Sequence, residues 1–207
     1  DSSNINNMEI MFSNCKSLIS IKFGNFKTSK VTSMMSTFYG CISITSINLS
    51  GFVTSSLKKM CHMFGNCKSL ISLDLSSFET SKVAHSHDMF NGCVKLEYVN
   101  FKKAQLSGKL KEYSNMVANT PKNIVFCVTE SKTTKLNNQL SGNSCSKRIS
   151  DCSVDWRRYQ KKIVPNSDVC VDSCSSTDSY KYEYLGKCVS ICSYGYYTEN
   201  NNNICCS

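Results

Sequence analysis

Apolar and polar positions alternate in short, recurring blocks along the first half of the chain. Leu73 and Leu75 flank Asp74, and Ile47 and Leu49 flank Asn48. Such alternation sends two side chains into a core and one to water, so each block predicts a short strand. A second rhythm lies between the blocks. Leu57, Met60, Phe64 and Cys67 are spaced three, four and three apart, as are Val31, Met34, Phe38 and Cys41. That spacing predicts a short helix or helical turn as a returning arm. One strand and one arm cannot bury their own apolar face, whereas several stacked units can.

The blocks fall on a fixed period. Cys15, Cys41, Cys67 and Cys93 are each 26 residues from the next. The third copy reads MFGNCKSLISLDLSSFETSKV from Met63 to Val83, and the first reads MFSNCKSLISIKFGNFKTSKV from Met11 to Val31. After Cys67 come Leu70, Leu73, Leu75 and Phe78. After Cys15 come Leu18, Ile21, Phe23 and Phe26. The pattern L-x-x-L-x-L-x-x-F is the signature of leucine-rich repeats. It predicts an α/β solenoid of 26-residue units whose strands form a parallel sheet, about 4.8 Å apart. The segment Asn115–Cys127 is irregular, with Thr120 where a ladder cysteine is due, and reads as a degenerate closing repeat. The four ladder cysteines sit at the inner end of their arms. They are expected as a buried row of free thiols acting as small hydrophobes.

These residues also carry a resemblance. The Met-Phe-x-x-Cys-x-x-Leu start followed by SLDLSSFETSKV resembles the BspA-like leucine-rich-repeat family over roughly residues 2–127. The resemblance implies a cell-surface or secreted protein of bacterial or protist type, engaged in adhesion and protein or matrix binding, without enzymatic activity. It supplies no fixed binding residues.

Cysteine usage changes character in the second half. The chain has 14 cysteines. Cys127, Cys145, Cys152, Cys170, Cys174, Cys188, Cys192, Cys205 and Cys206 crowd a region poor in aliphatic residues, which needs disulfide staples. Zinc is the rival: Cys170-x-x-x-Cys174 and Cys188-x-x-x-Cys192 have loosely suitable spacing. The remaining cysteines form no paired knuckles, and this region has no histidine, so disulfides are expected. The segment YKYEYLGKCVSICSYGYYTENNNNICC resembles the small EGF-like or furin-like modules of protist surface proteins. Three parts follow: a repeat solenoid over 1–127, a basic linker with a capping helix over 128–165, and a Cys-rich disulfide module over 166–207. The expected compartment is extracellular, secreted or on a cell surface. No apolar run reaches membrane-spanning length. The register starts in the middle of a repeat, which leaves an open edge. That edge predicts missing upstream residues or, as an alternative function, head-to-tail stacking of protomers into a filament.

Charge and candidate chemistry add four candidate sites. The net charge of +9 is concentrated between residues 102 and 162. There SVDWRRYQKKI reads as a helix capped by Ser153, with Trp156, Tyr159 and Ile163 on one face. Arg157, Arg158, Lys161 and Lys162 would face water, as a solvated surface or an anion site for acidic glycans or a neighbouring protomer. No nucleic-acid motif occurs. Cys61, His62, His87 and Asp88 fall on adjacent repeats at matching positions and offer transition-metal ligand chemistry. The same columns hold Glu9 and Met35 in earlier copies, as variable solvent-facing positions would, and no resident metal or cofactor is expected. Asn48-Leu49-Ser50 is a glycosylation sequon. The outward strand residues Lys22, Asn48, Asp74 and Asn100 mark the expected face for a protein or glycan partner. No nucleophile–base pair, phosphate loop or carboxylate pair stands in the sequence, so the expected role is recognition rather than catalysis.

Overall fold

The computed structural model describes residues 2–103, 111–128, 134–140, 145–177, 179, 182–184, 187–191, 197–198 and 205–206. Its character is α/β with little helix. Strands β1 (Ser72–Asp74), β2 (Tyr98–Asn100), β3 (Val125–Cys127) and β4 (Lys147–Ile149) form a parallel sheet in chain order. The register pairs Leu73 with Val99 and Val99 with Phe126. One α-helix, α1 (Thr134–Leu140), precedes β4. A second sheet runs β6 (Cys170–Val171), β5 (Lys162–Ile163), β8 (Lys187–Val189), β7 (Tyr182–Tyr184). Strands β9 (Tyr197–Thr198) and β10 (Cys205–Cys206) pair antiparallel.

The returning arms are not helices. Each arm is a run of turns whose backbone groups bond alternately within the arm and to the next copy. Thr37, Tyr39 and Cys41 donate their N–H to the carbonyls three residues back, Met34, Ser36 and Phe38. Met34, Ser36, Phe38 and Gly40 donate instead to Lys59, Cys61, Met63 and Gly65, one copy on. The same alternation joins Met60, His62, Phe64 and Asn66 to His85, His87, Met89 and Asn91. Parallel bridges continue it from Asn7 through Ser33, Lys59 and His85 to Glu112. A helix is excluded because two positions per arm have positive φ, such as His62 at 53° with Asn66 at 58°, and Asp88 at 54° with Gly92 at 77°. Left-handed residues interrupt the run of right-handed ones that a helix requires. The three-four-three apolar spacing is met equally well by these turns, which is why it reads as helical.

Sheet pairing is also less extensive than the pattern predicts. The blocks around Lys22 and Asn48 lie beside the sheet but form no assigned strands. The closing repeat does take its place: β3 pairs with β2, and Phe90 N–H reaches the carbonyl of Met116.

Inside the stack, like side chains sit on like. Phe12, Phe38, Phe64 and Phe90 form a column of near-parallel rings, with centroids 5.5, 5.6 and 6.0 Å apart. Buried Thr28 accepts from Val53 N–H, and buried Thr54 accepts from Glu79 N–H, both at 2.8 Å, so each threonine ties its turn to the next copy. Cys41, Cys67 and Cys93 are fully buried. Their thiols donate to the carbonyls of Phe12, Phe38 and Phe64 at 3.1, 3.2 and 2.9 Å. Cys15 departs from expectation: it is exposed, because no copy covers its outer side in the structure. The thiols of Cys61 and of the ladder are all unbridged.

The position before each ladder cysteine alternates Asn14, Gly40, Asn66, Gly92. A Cβ at Gly40 would overlap Oδ1 of Asn14, and one at Gly92 would overlap Oδ1 of Asn66. Both glycines have positive φ. Each asparagine therefore lies in the space that the glycine of the next copy leaves open.

The disulfides begin where the ladder ends. Cys127 bonds Cys152, Cys145 bonds Cys170 and Cys174 bonds Cys188. Cys192 lies outside the described residues, and Cys205 and Cys206 are described in their backbone only. Among the described residues, no helix is long and apolar enough to cross a membrane.

Gly92→Ala is expected to lose about 2 kcal/mol in urea unfolding, from the left-handed backbone and the overlap with Asn66. Gly51→Ala, in open space, is expected to stay within about 0.5 kcal/mol of the parent. Equal effects at the two sites would contradict the packing of asparagine over glycine.

Burial pushes the Cys93 thiol up to about 12 and raises Cys67 and Cys41 as well. A raised thiol favours the fold while neutral. Its contribution is complete below the ordinary thiol value of 9.0 and is lost as pH climbs toward about 12. Unfolding midpoints of the parent chain are thus expected to fall more steeply above pH 9 than those of Cys93→Ala, by up to about 1.4 kcal/mol per pH unit. Parallel curves would show that the ladder does not titrate with unfolding.

Candidate functional site

The sheet has two sides. The inner side faces the core of stacked phenylalanine, methionine and leucine. Its outer side changes along the strand order. Ser72 and Asp74 on β1 are exposed, Tyr98 and Asn100 on β2 are half-buried, and Val125 and Cys127 on β3 are buried. The cause is a second, smaller core on the outer side, made of Val125, Cys127, Ile149 and Trp156 with Tyr98, Cys152 and Val154 packed against it. Trp156 stacks on Tyr98 at 5.3 Å with ring planes 3° apart. The Cys127–Cys152 disulfide ties the covering segment to the strand beneath it. The outer face is consequently open over the first three copies, partly covered at β2 and closed at β3.

Three of the four residues expected to mark the partner face have a job in the turn after their strand. Oδ1 of Asn48, Asp74 and Asn100 accepts the N–H of Ser50, Ser76 and Lys102 at 3.1, 2.8 and 3.2 Å. These carbonyl and carboxylate oxygens hold the chain as it leaves the sheet. Asn48 and Asp74 stay exposed, whereas Asn100 is half-buried. Lys22 and Asn48 line one groove of about 370 Å³ with Ile21, Phe23, Gly24 and Gly51. It lies between the first two copies and combines apolar walls with an amide and an ammonium, a mixture suited to a polar ligand with an apolar part.

The expected anion patch is dispersed. Residues Trp156–Tyr159 form a single 3-10 turn capped by Asp155, whose side chain accepts from Arg157 N–H; no helix starts at Ser153. Ser153 instead bonds Asp151 through both its N–H and its hydroxyl. Ile163 belongs to β5, not to a helix face. Arg157 lies over the Trp156 ring at 4.5 Å. Lys162 is buried and paired with Glu183 at 2.8 Å, which removes it from the surface. Burial raises the Glu97 carboxyl while Arg157 and Lys162 act against that rise. Arg158 is exposed and Lys161 half-buried, so the four residues present no common face.

His62, His87 and Asp88 do come together, with one ligand-type atom of each within 4.8 Å of the others. Cys61 is buried and stands outside this group. His85, the third histidine that the sequence groups with His62 and His87, stands beside them, and the sequence pattern missed one further neighbour, Glu112, whose Oε2 lies 2.9 Å from Nδ1 of His85. The 27-residue step from His85 to Glu112, one longer than the cysteine period, hid their alignment.

The comparison with known families decides the kinship. The family described as Mycoplasma protein of unknown function, DUF285, matches residues 1–105. The chain belongs to this family. The DUF285 match spans the four cysteine-bearing copies and stops short of β3, so the segment that closes the outer face lies beyond it. No curated protein and no solved structure matches this DUF285 member.

Ser50 Oγ and N–H both bond Oδ1 of exposed Asn48, and the glycan-accepting Nδ2 makes no hydrogen bond among the described residues. Secretion from a eukaryotic host is therefore expected to attach an N-glycan at Asn48. Peptide mass spectrometry before and after enzymatic deglycosylation checks this; an unmodified Asn48 peptide in all secreted material would refute it.

Proposed function

We propose that the chain is a non-enzymatic, extracellular recognition protein, built as a leucine-rich-repeat solenoid of BspA-like type, that binds a protein or glycan through the outer sheet face of its first three copies. The observation that carries this proposal is the graded cover of that face. The covering segment half-buries Tyr98 and Asn100 and buries Val125 and Cys127, but leaves Ser20, Lys22, Ser46, Asn48, Ser72 and Asp74 to solvent. An extended, rigid row of small polar residues beside an apolar groove fits recognition of a surface, where affinity comes from many modest contacts on a preorganised frame. The three disulfides among the described residues favour an oxidising compartment. The amides and the carboxylate on this face hold turns, and none of the described hydrogen bonds there pairs a hydroxyl with a carboxylate or imidazole base, which favours binding over catalysis.

The test is a panel of extracellular-matrix proteins and of sulfated and sialylated glycans, probed with the parent chain and two variants. Lys22→Glu with Asp74→Lys reverses charge on the open face, and Lys82→Glu does so at an exposed site away from it. The face variant is expected to lose about tenfold or more in affinity for any captured partner, with Lys82→Glu unchanged. Binding that is indifferent to the face variant, or no capture anywhere on the panel, would overturn the proposal.

A further inference from the structure

The arms, on a different surface from the sheet face, bring together two imidazoles and a carboxylate. One ring nitrogen each from His62 and His87 and one carboxylate oxygen from Asp88 lie within 4.8 Å of one another. His62 belongs to the arm that ends in Cys67; His87 and Asp88 belong to the arm that ends in Cys93. We infer that this cluster binds a divalent transition-metal ion of the zinc type and clamps these two adjacent copies together.

The backbone fixes where the ligands start. His62 N–H donates to the carbonyl of His87 at 3.0 Å. His62 and Asp88 occupy the same left-handed position in their arms, with φ of 53° and 54°, so the two side chains leave the stack from aligned points. Histidine and aspartate are among the residues that tolerate this backbone region.

Hydrogen bonds fix how the ligands point. Oδ1 of Asp88 accepts from Nδ2 of Asn91 at 2.7 Å, while Oδ2 lies 3.9 Å from Nε2 of His62. Nδ1 of His87 is buried and makes no hydrogen bond, although Oε2 of Glu112 is only 3.4 Å away. A carboxylate placed behind a histidine selects its tautomer and orients its ring once the opposite nitrogen takes a metal. Glu112 stands in that position for His87, which assigns Nε2 of His87 to the ion. Glu112 is itself anchored by His85, and the hydrogen bond between them holds its carboxyl below the usual range.

The donor set chooses the ion. Two neutral imidazoles and one carboxylate suit zinc and its neighbours, whereas calcium and magnesium take oxygen ligands. Tetrahedral coordination at about 2.0–2.1 Å needs donors about 3.4 Å apart. The cluster must contract by a little over 1 Å, which half-exposed side chains achieve by small rotations. His62 also borders an open depression of about 390 Å³ with Ile10, Ser13, Asn14, Ser36 and Tyr39. That depression supplies an entry path and room for water as the fourth ligand. The thiol of Cys61 is buried, lies outside the group of converging ligand atoms and takes no part.

The experiment is calorimetric titration of zinc chloride into the chelator-stripped, oxidised chain, with cobalt spectroscopy alongside. The parent is expected to bind a single zinc ion. His62→Asn and Asp88→Asn, chosen because asparagine keeps the left-handed backbone, are expected to weaken binding roughly 100-fold or more, as is His87→Gln. Glu112→Gln is expected to weaken it by about 10- to 100-fold, and Cys61→Ser to leave it unchanged. Circular dichroism confirms that each variant remains folded. Cobalt should give a tetrahedral spectrum without a thiolate charge-transfer band. The inference fails if the parent binds no zinc, if affinity survives in folded His62→Asn and His87→Gln, or if the cobalt spectrum reports a thiolate ligand.

Discussion

The arms of this protein cannot satisfy their own backbone. Turns interrupted by two left-handed residues bond only every second N–H within the arm, and the others must find a carbonyl elsewhere. They find it one copy on, at Lys59, Cys61, Met63 and Gly65 for the second arm and at His85, His87, Met89 and Asn91 for the third. An unpaired buried N–H costs on the order of 1–3 kcal/mol, so an arm without a neighbour is unstable by several such terms. Everything else in the first half follows from this demand. Arms must lie parallel and in register. Register then brings phenylalanine onto phenylalanine, and thiol onto carbonyl.

The same demand explains which features show in the sequence. The cysteine column is legible because a side chain fully enclosed between copies tolerates little variation in size. The core positions after each cysteine are legible for the same reason. The conformation of the arm is not, because Met34, Phe38 and Cys41 would face inward in a helix and do face inward in the ribbon of turns. The signal that separates the two is the recurrence of asparagine and glycine just before each cysteine, which betrays a left-handed residue. Ile10 and Ser36 occupy the equivalent left-handed position near the start of their arms and give no such sign. At the basic segment, charge alone misleads. Lys162 looks like its neighbours in the sequence, yet a partner more than 20 positions away, Glu183, draws it inward.

The candidate face owes its shape to an asymmetry between the two halves of the chain. Copies of one unit would present the same outer surface from end to end. Cysteine pairing breaks that equivalence: Cys127 sits on the outer side of β3 and is bridged to Cys152, and Trp156 follows close enough to stack on Tyr98. Alternation on β3 serves both cores at once, with Phe126 turned inward and Val125 outward. One strand thereby changes the outer surface from open to closed, and the length of the exposed row is set by where that strand falls.

The alternation of asparagine and glycine ahead of the cysteines bears on how such a protein changes length. Neighbouring copies are complementary rather than identical, since an asparagine side chain fills the space over the next copy's glycine. The unit that repeats without conflict is therefore the pair, 52 residues long by the spacing of Asn14 and Asn66. Removing a single copy from the middle would set asparagine against asparagine or glycine against glycine. Removing a pair would restore the original contacts. Growth and loss of this stack are thus favoured in even steps.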